Sequence, residues 1–471
     1  MRDNIIKFGT SGWRAVIAEE FTFANVRLAV AGIARYVLSQ KPSGASLVVG
    51  YDTRFFSEEF ARVAVEILAS HGIRSYACQA PTPTPAISWE VLRRRTDGAI
   101  NFTASHNPPE YNGLKFSTAD GAPALPEVTR QIEEFVGQLR ASGEPPHGLP
   151  GRALERETID PKPPYLAVLR EKVALDTIRQ ANLSVVYDPM YGAGAGYLEN
   201  LLLENGIKVH TIHANRDALF GGAAPDPSEE RLQPLKVAVL AHKTALGLAT
   251  DGDADRYGVL DADGTWIQPN YILALLLDYL VEARGWPGGV GKSVATTHLV
   301  DAVARYHKIP LYETPVGFKY IGELIKEDKI VIGGEESAGL TIYRHVPEKD
   351  GILACLLTAE MVARRQATIN DQLHALFKKV GAYYPIRVNL HLPPDVQARL
   401  LARLKQDPAN FNGRKVVRID RTDGLKIVLE DESWALMRLS GTEPVCRTYC
   451  EARTKEGVES LTAATRSFIF D

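Results

Sequence analysis

Short apolar segments alternate with longer amphipathic segments along most of the chain. The apolar segments have the length and composition of buried strands, and they include 46–53, 183–189, 245–250 and 329–334. Between them, EEFARVAVEILASHG (58–72) predicts a helix that ends at Gly72, and GYLENLLLENG (196–206) predicts another. Strands that alternate with helices indicate α/β units with largely parallel sheets.

The C-terminal part of the chain has a different pattern. Three segments, VGAYYPIRVNLHL, KVVRIDRTDGLKIVLED and SWALMRLS, predict strands joined by turns, which favours an α+β domain. Polar or Pro/Gly-rich breaks occur most clearly at 141–164 and more weakly near 261–269 and 376–384. These breaks predict four domains, at 1–150, 160–264, 265–376 and 380–471.

Composition and charge exclude several classes of protein. The 471 residues are 45% hydrophobic and 24% charged, as in soluble globular proteins. The formal net charge of −3 gives no overall field for nucleic acid, so an anionic ligand needs a local patch. No N-terminal apolar region resembles a signal peptide, and no run approaches the ~18 apolar residues of a membrane span. We therefore expect a cytoplasmic protein without a membrane partner.

The four cysteines are too few for a disulfide framework. Cys446 and Cys450 lie in the alternating segment VCRTYCEA, which predicts that both point to one face as core residues. A zinc site there would need two further ligands.

The segment DGDADR (251–256) predicts a metal site. Asp251, Asp253 and Asp255 alternate in a loop between two apolar strands, where three carboxylates can converge on one Mg²⁺. An EF-hand is excluded, because its sixth position is Arg256 rather than glycine and its twelfth is Ala262 rather than glutamate. The alternative is an acidic turn held by local hydrogen bonds.

The segment RLSGTEPVCR (438–447) has the composition of a phosphate site. Hydroxyl and backbone N–H groups of a glycine-containing loop, flanked by guanidinium groups, suit a phosphate dianion. The candidate ligands are Arg438, Ser440, Gly441, Thr442 and Arg447. The alternative is a hairpin with surface arginines.

The segment GGEESAG (333–339) also follows an apolar strand. In extended chain Glu335 and Ser337 face the same way, and a carboxylate beside a hydroxyl can hold neighbouring sugar hydroxyls. The alternative is an acidic loop without a ligand.

The segment TASHNPPEYNGLK places a hydroxyl beside an imidazole. Ser105 and His106 follow an apolar run, and Pro108 and Pro109 keep the loop out of a helix. No G-x-S-x-G motif is present, which disfavours an α/β-hydrolase. Lys115 is a possible proton carrier or phosphate contact, and the alternative is a tight loop with a satisfied serine.

Two glycine-rich segments resemble nucleotide sites only superficially. WPGGVGKS (286–293) has Trp286 where a P-loop needs its first glycine, and it follows a helical rather than a strand pattern. YGAGAGY (191–197) has Tyr197 at the third glycine position of G-x-G-x-x-G.

The four candidate loops follow strands, one in each predicted domain. Ligand sites of open α/β sheets form outside the carboxyl ends of the strands, and clefts between domains are usual pockets. A serine, a metal, a sugar contact and a phosphate site meeting in one cleft indicate phosphoryl transfer to and from a sugar.

These motifs, in this order, resemble those of the α-D-phosphohexomutase superfamily over essentially the whole chain. TASHNPPEYNGLK is similar to its phosphoserine loop, DGDADR to its metal loop, GEESAG to its sugar-binding loop, and RLSGTEP followed by Arg447 to its phosphate-binding loop. FGTSGWR (8–14) resembles its N-terminal motif, which adds Arg14 to the candidate catalytic residues. Ala338 departs from the pattern, because many relatives have a second glycine there.

The resemblance implies a fold and a set of roles. The fold would be three similar α/β domains with mixed, mostly parallel sheets and a C-terminal α+β domain around a central cleft. Ser105 would carry the phosphoryl group and, as phosphoserine, share one Mg²⁺ with the three aspartates. His106 and Lys115 match positions near the reacting centre, with Lys115 as the candidate general acid/base, and Arg256 and Lys319 match substrate contacts.

The resemblance also implies an activity. The chain would interconvert hexose 1-phosphate and hexose 6-phosphate through a hexose 1,6-bisphosphate, which serves as activator and intermediate. TPVGFKYIGE and PEKDGILA favour glucose as the sugar, and the alternatives are mannose or glucosamine specificity. A phosphatase and a non-catalytic sugar-phosphate sensor are rival functions. We expect a monomer or weak dimer with a hinge near 376–384.

Overall fold

The computed structural model describes residues 6–147, 156–440 and 444–471. Four β-sheets follow one another along this part of the chain. The first three are mixed and mostly parallel, and the fourth is antiparallel, which confirms the expected fold class.

The first sheet has the strand order β1-β5-β4-β2-β3-β6. Its elements are β1 (Trp13–Val16), α1 (Phe23–Gln40), β2 (Ser46–Tyr51), α2 (Ser57–Ser70), β3 (Arg74–Cys78), α3 (Thr84–Arg94), β4 (Gly98–Phe102), β5 (Tyr111–Thr118), α4 (Pro126–Ser142) and β6 (Arg156–Ile159). Strand β6 pairs in parallel with β3, so part of the segment interpreted as a linker at 141–164 is an edge strand.

The second sheet has the order β10-β9-β7-β8. Its elements are α5 (Lys162–Lys172), α6 (Leu175–Gln180), β7 (Ser184–Asp188), α7 (Leu198–Glu204), β8 (Lys208–Thr211), α8 (Gln233–His242), β9 (Leu246–Thr250) and β10 (Tyr257–Asp261). Strands β7 and β9 are parallel neighbours, so the loops that follow them emerge side by side at the same sheet edge.

The third sheet has the order β12-β11-β13-β14. Its elements are α9 (Pro269–Arg284), β11 (Gly289–Ser293), α10 (Leu299–His307), β12 (Leu311–Thr314), α11 (Phe318–Lys326), β13 (Ile330–Gly334), β14 (Leu340–Ile342), α12 (Gly351–Arg365) and α13 (Ile369–Val380). The GVGKS of the P-loop-like segment is the buried strand β11, which confirms that it is not a phosphate loop. One continuous hydrophobic core joins the second and third domains.

The fourth sheet has the order β15-β20-β19-β18-β17-β16. Its elements are β15 (Tyr384–His391), α14 (Pro394–Arg403), β16 (Asn410–Phe411), β17 (Arg414–Asp420), β18 (Leu425–Leu429), β19 (Trp434–Leu439), β20 (Val445–Ala452) and α15 (Lys455–Phe470). Cys446 and Cys450 are buried in the core of this domain, as their alternating pattern predicts.

A network of charges with two buried lysines, here called the interface cluster, joins the fourth domain to the third. Its members are Lys292, Asp301, Glu313 and Lys426. Lys292 Nζ lies 2.5 Å from Asp301 and 3.3 Å from Glu313, and Lys426 Nζ lies 3.4 Å from Glu313. Two cations therefore face two carboxylates. The Lys426 ammonium also lies 4.4 Å from the centre of the Trp434 ring.

Glu451 of β20 gives the same interface a second contact. Its carboxylate accepts hydrogen bonds from Trp434 Nε1 at 2.8 Å and from the His298 N–H at 2.9 Å, and also from the Thr297 hydroxyl. Because β20 also carries Arg447, this contact fixes the candidate phosphate-binding strand relative to the third domain.

No helix in the described ranges combines the length and the apolar character that crossing a membrane requires.

Candidate active site

Ser105 lies in the turn that follows β4. Its φ of +51° is a left-handed backbone conformation that is uncommon outside glycine, and its N–H donates to Thr103 Oγ1 at 2.9 Å. The Ser105 hydroxyl donates to Asp251 Oδ2 at 2.6 Å. The candidate serine and the candidate metal loop are thus in direct contact across two domains.

Arg54, which the sequence analysis missed, holds the serine loop in shape. Its guanidinium is fully buried and pairs with Asp52 at 3.2 Å. It donates to four main-chain oxygens, at 2.6, 2.6, 2.8 and 3.0 Å, on Ser105, Asn107, Pro108 and Tyr111. The sequence feature that could have revealed this role is the pair of Asp52 and Arg54, in YDTR, at the end of a predicted buried strand.

The three aspartates of the 251–255 loop converge, and we call them the triad. One carboxylate oxygen from each lies within 4.8 Å of the others, and all three side chains are buried. Asp253 Oδ1 and Asp255 Oδ1 are buried without a hydrogen-bond partner among the described residues. Buried carboxylate oxygens without a partner are costly unless a cation meets them, and oxygen ligands of this kind suit Mg²⁺. The residues present therefore fit a divalent ion.

Two lysines contact the triad. Lys115 Nζ lies 2.5 Å from Asp253 Oδ2 and 2.7 Å from Asp255 Oδ2, and Lys349 Nζ lies 2.7 Å from Asp255 Oδ2. Burial lowers the pKa of Lys115, but Asp253 and Asp255 outweigh it and raise the pKa above its usual value. Lys349 was missed as a triad contact, although its segment, PEKDGILA, was used to favour glucose, because its partner Asp255 is 94 residues away in the sequence.

Electrostatics inside the triad separate its members. Burial raises the pKa of Asp251, and the neighbouring Asp253 and Asp255 raise it further. Burial also opposes ionisation of Asp255, but Lys115, Lys349 and Arg256 together hold its pKa well below the usual range. Asp251 is therefore the member of the triad whose negative charge its surroundings disfavour most, and a nearby cation would offset this.

The glycine-rich segment 191–197 packs against the main chain of the candidate metal loop, 251–256. The Ala193 N–H donates to the Gly252 carbonyl oxygen at 2.9 Å. A Cβ at Gly192 would lie 2.8 Å from the same oxygen, so a larger residue would push the loops apart. These glycines permit close packing of two loops, which is a structural role and not nucleotide binding.

Three cationic or neutral groups surround Ser105 on the cleft side. Arg14 Nη1 donates to Asn107 Oδ1 at 2.7 Å, and His106 Nδ1 lies 3.3 Å from Ser105 Oγ. Burial, together with Arg256 and Arg14, lowers the pKa of His106 well below its usual value, which keeps the imidazole neutral. The main-chain N–H of Arg256 donates to Asp251 Oδ1 at 3.0 Å, and its guanidinium Nε lies 4.0 Å from Asp255 Oδ1.

One cavity of about 850 Å³ collects side chains from all four domains. Its lining includes His106, Arg256, Ser337 and Arg447. These residues come from the four loops that the sequence analysis selected, so the structure brings the loops together. Gly441 and Thr442 lie outside the described residues.

The sugar-binding loop differs from the extended segment assumed in the sequence analysis. Residues 335–339 form a tight turn, in which the Glu335 N–H donates to the Gly339 oxygen at 2.9 Å. As a result Glu336 and Ser337 line the cavity, whereas Glu335 Oε1 accepts the Gly317 N–H at 2.8 Å. Burial and the adjacent Glu336 raise the pKa of Glu335 to about 7.

Ala338 takes a φ of +67° in the same turn, a conformation that favours glycine. Ala338, where the sequence analysis expects a glycine, therefore lies at a strained backbone position.

Lys319 and Arg438 are not among the residues that line the cavity. Lys319 is nearly buried, and burial lowers the pKa of its ammonium, while Glu127 and Glu335 partly offset this effect. Arg438 Nε lies 2.8 Å from Asp423 Oδ1, and the other oxygen of Asp423 accepts the Val316 N–H at 3.0 Å.

Comparison with known proteins matches the chain to the domains of one family. Models of the phosphoglucomutase/phosphomannomutase α/β/α domains I, II and III match residues 6–142, 163–264 and 268–380, and the model of its C-terminal domain matches 396–467.

Relatives with different names match over nearly the whole chain. A phosphoglucomutase/phosphomannomutase of Thermococcus kodakarensis is 32% identical over 452 residues and covers 95% of each chain. A "probable phosphoglucosamine mutase" of Pyrococcus abyssi is 31% identical over 465 residues and covers 98% of each. A solved "putative phosphomannomutase" from Thermus thermophilus has a TM-score of 0.86 at 32% identity, covering 98% of this chain and 99% of that one.

With all four domains matched in order and full-length relatives above 30% identity, this chain belongs to the phosphoglucomutase/phosphomannomutase family and is a phosphohexomutase.

Proposed function

We propose that this enzyme interconverts the 1-phosphate and 6-phosphate of a hexose, with glucose favoured, and that Ser105 carries the transferred phosphoryl group. The observation that supports this most strongly is the 2.6 Å hydrogen bond from Ser105 Oγ to Asp251 of the triad, beside a cavity that all four loops line. A nucleophile next to a candidate metal-ligand cluster, and adjacent to a residue that lines the cavity, is suited to phosphoryl transfer.

In the proposed reaction the phosphoryl group passes from phosphorylated Ser105 Oγ to the free hydroxyl of a bound hexose monophosphate. The P–Oγ bond breaks, and a P–O bond to the sugar oxygen forms. Lys115, whose raised pKa keeps Nζ protonated, donates a proton to the leaving Oγ and then accepts the proton of the sugar hydroxyl. The second transfer reverses these steps with the other phosphate.

When bound, Mg²⁺ would be held by the triad with a phosphoserine oxygen and would neutralise charge on the transferring group. Arg14 and Arg256 add fixed positive charge on the same side of the cavity. His106, kept neutral, can donate or accept one hydrogen bond near Oγ without adding a second cation.

The sugar and its other phosphate would bind across the cavity from Ser105. Glu336 and Ser337, which line the cavity, would hold ring hydroxyls together with the adjacent Glu335, with Lys319 as a further contact. The phosphate that does not react would bind the loop of Arg438, Ser440, Gly441, Thr442 and Arg447. Because the bisphosphate must turn end for end between the two transfers, we propose that the fourth domain opens about a hinge at 376–384.

The choice of sugar is the finer part of this proposal. The relatives carry phosphoglucomutase/phosphomannomutase, phosphoglucosamine mutase and phosphomannomutase names, so their names do not separate the alternatives. Turnover of glucose 1-phosphate, mannose 1-phosphate and glucosamine 1-phosphate, each with the matching 1,6-bisphosphate, would rank them.

Replacing Ser105 by alanine tests the mechanism. Turnover should fall by at least about a thousandfold, since the covalent carrier is lost. The intact mass of the wild type should include a phosphoryl group of ~80 Da that substrate removes, and Ser105→Ala should lack it. Ser75→Ala is the matched control, because Ser75 is buried in β3 and its hydroxyl has no hydrogen-bond partner among the described residues.

Full turnover by Ser105→Ala would contradict the mechanism. Release of inorganic phosphate in step with substrate loss would indicate a phosphatase instead, and binding of sugar phosphate without any turnover would indicate a sensor.

A further inference from the structure

We propose that Lys349 is a positioning residue that competes with the divalent cation for Asp255. This inference extends the proposed function, because it concerns how the triad is kept ready for its metal. The structure supports it through three features of Lys349: its partner, its anchoring and its surroundings.

The first feature is the sharing of one carboxylate oxygen by two ammonium groups. Lys115 Nζ and Lys349 Nζ each lie 2.7 Å from Asp255 Oδ2. Lys115 has a second triad contact, to Asp253 Oδ2 at 2.5 Å, whereas the hydrogen bond of Lys349 to the triad is to Asp255. Of these two lysines, Lys349 is therefore held by fewer triad oxygens. A cation at the unpartnered Asp255 Oδ1 would repel its ammonium from Asp255 more easily than that of Lys115.

The second feature is the rigid main chain on both sides of Lys349. Asp350 accepts hydrogen bonds from the Tyr165 hydroxyl at 2.8 Å and from the Leu353 N–H at 2.9 Å, and it contacts His345 Nε2 at 2.7 Å. The Gly351 N–H donates to the Ala254 oxygen of the metal loop at 3.1 Å.

Gly351 also shows why this segment lies so close to the metal loop. A Cβ at Gly351 would lie 2.2 Å from the Arg256 carbonyl oxygen, so only glycine permits the approach. The backbone of residue 349 is thus fixed against the metal loop, and a change at its ammonium must come from the side chain alone.

The third feature is the surroundings of the side chain. The stem of Lys349 passes below the sugar-binding loop, where a Cβ at Gly339 would lie 2.6 Å from Lys349 Cδ. Glu348 Oε1 lies 3.8 Å from Nζ and leaves a carboxylate beside the displaced ammonium. The ammonium can therefore leave Asp255 without losing all of its negative neighbours.

Charge explains the expected direction. With Lys349 in place, a divalent cation approaches a triad already met by two ammonium groups, and repulsion lowers its affinity. Removing the Lys349 charge should therefore tighten metal binding, although it removes a contact of the triad. A residue that served only to hold Asp255 in shape would have the opposite effect when removed.

The experiment is Mn²⁺ binding, measured from the free-ion signal in electron paramagnetic resonance, with Mg²⁺ titration calorimetry as a second measurement. Lys349→Met and Lys349→Gln should each bind the ion roughly tenfold more tightly than wild type. Lys349→Arg keeps the charge and should stay within about threefold of wild type. Lys378→Met makes the same charge change on the exposed face of α13 and should not alter binding.

Unchanged or weaker binding by folded Lys349→Met and Lys349→Gln would overturn the proposal. A measurement on the wild type guards against variants that fail to fold: acylation of Lys349, followed by mass spectrometry, should increase about threefold or more when Mg²⁺ is added, with Lys378 as the internal reference. Equal acylation with and without Mg²⁺ would also overturn it. Because these readouts are metal binding rather than turnover, they can fail while the Ser105 test succeeds, and the reverse.

Discussion

The triad and the interface cluster are built from the same kinds of residues, yet the structure indicates different roles for them. Each places carboxylates against two lysines, Lys115 and Lys349 in one case and Lys292 and Lys426 in the other. The triad carboxylates are buried, whereas Asp301 and Glu313 are partly exposed. In the interface cluster two carboxylates face two ammonium groups. In the triad three carboxylates face two ammonium groups and the Arg256 guanidinium, and Asp253 Oδ1 and Asp255 Oδ1 have no hydrogen-bond partner among the described residues.

This comparison shows how a candidate metal site can be distinguished from a network of ion pairs that stabilises a domain interface. A group of acidic side chains is not enough, because His298, Asp301 and Glu313 also lie within ligand distance of one another. Lys292 and Lys426 already neutralise the two acids there, and pairing of this kind joins the domains. Three fully buried carboxylates, two of whose oxygens lack a hydrogen-bond partner among the described residues, favour the triad as the candidate metal position.

The largest expected effect comes from removing one carboxylate from each region. Asp253→Asn should lower turnover by about a thousandfold, because it removes a proposed ion ligand while its amide can still accept from Thr84. Glu313→Gln removes the same charge at the interface, and turnover should stay within about threefold of wild type. The comparison fails if steady-state assays give the two variants similar losses.

A smaller effect is expected on the pH dependence of stability. Burial and the nearby Lys292 lower the pKa of Lys426 to about 8, whereas an unfolded lysine has a pKa of about 10.4. Between these values the unfolded chain binds more protons than the folded one, so stability increases as the pH rises through this window. Lys426→Met lacks the effect, and the free energy of unfolding of wild type relative to this variant should rise by at most about 3 kcal/mol from pH 8 to pH 10.4.

Urea unfolding at both pH values measures that difference. Lys115 provides the contrast in the triad, since its pKa is raised and its ammonium remains charged in the folded state across the window. Wild type compared with Lys115→Met should therefore show no gain in stability over the same range. A gain of similar size for both lysines would remove the distinction between the two regions.

The smallest effect concerns stabilisation by magnesium. At tenfold excess over its dissociation constant, Mg²⁺ should stabilise the folded protein by about 1.4 kcal/mol, seen as a rise in Tm. Glu313→Gln should retain the rise and Asp253→Asn should lose it. A rise that Glu313→Gln loses would place an ion at the interface instead of the triad.

Much of the fold follows from local pattern. Apolar runs are visible in the sequence at the buried strands β2, β7, β9 and β13, because both faces of a parallel strand are covered. The helix α2 is visible as an amphipathic pattern, because one of its faces packs against the core. Strand β6 escaped notice because most of its residues are exposed and its pairing with β3 is a long-range contact.

The site was predictable only where a motif carried it. Ser105 and the aspartates stand in recognisable segments, and the structure brings them together. Arg54, Lys349 and Glu336 depend on partners far away in the sequence or on a turn, so composition gave little sign of them. The tight turn at 335–339 reverses the direction of side chains that an extended chain would align, which is why Glu336 was overlooked.

The hydrogen bonds from Arg54 to main-chain oxygens have a consequence for the proposed reaction cycle. These contacts involve carbonyl groups, whose polarity is the same whether Ser105 bears a phosphoryl group or a bare hydroxyl. The hydrogen bonds by which Arg54 fixes the loop of Ser105 therefore do not depend on whether Ser105 is phosphorylated. If Ser105 carries the phosphoryl group as proposed, its loop can keep one geometry throughout the reaction, and each transfer would begin from the same backbone conformation.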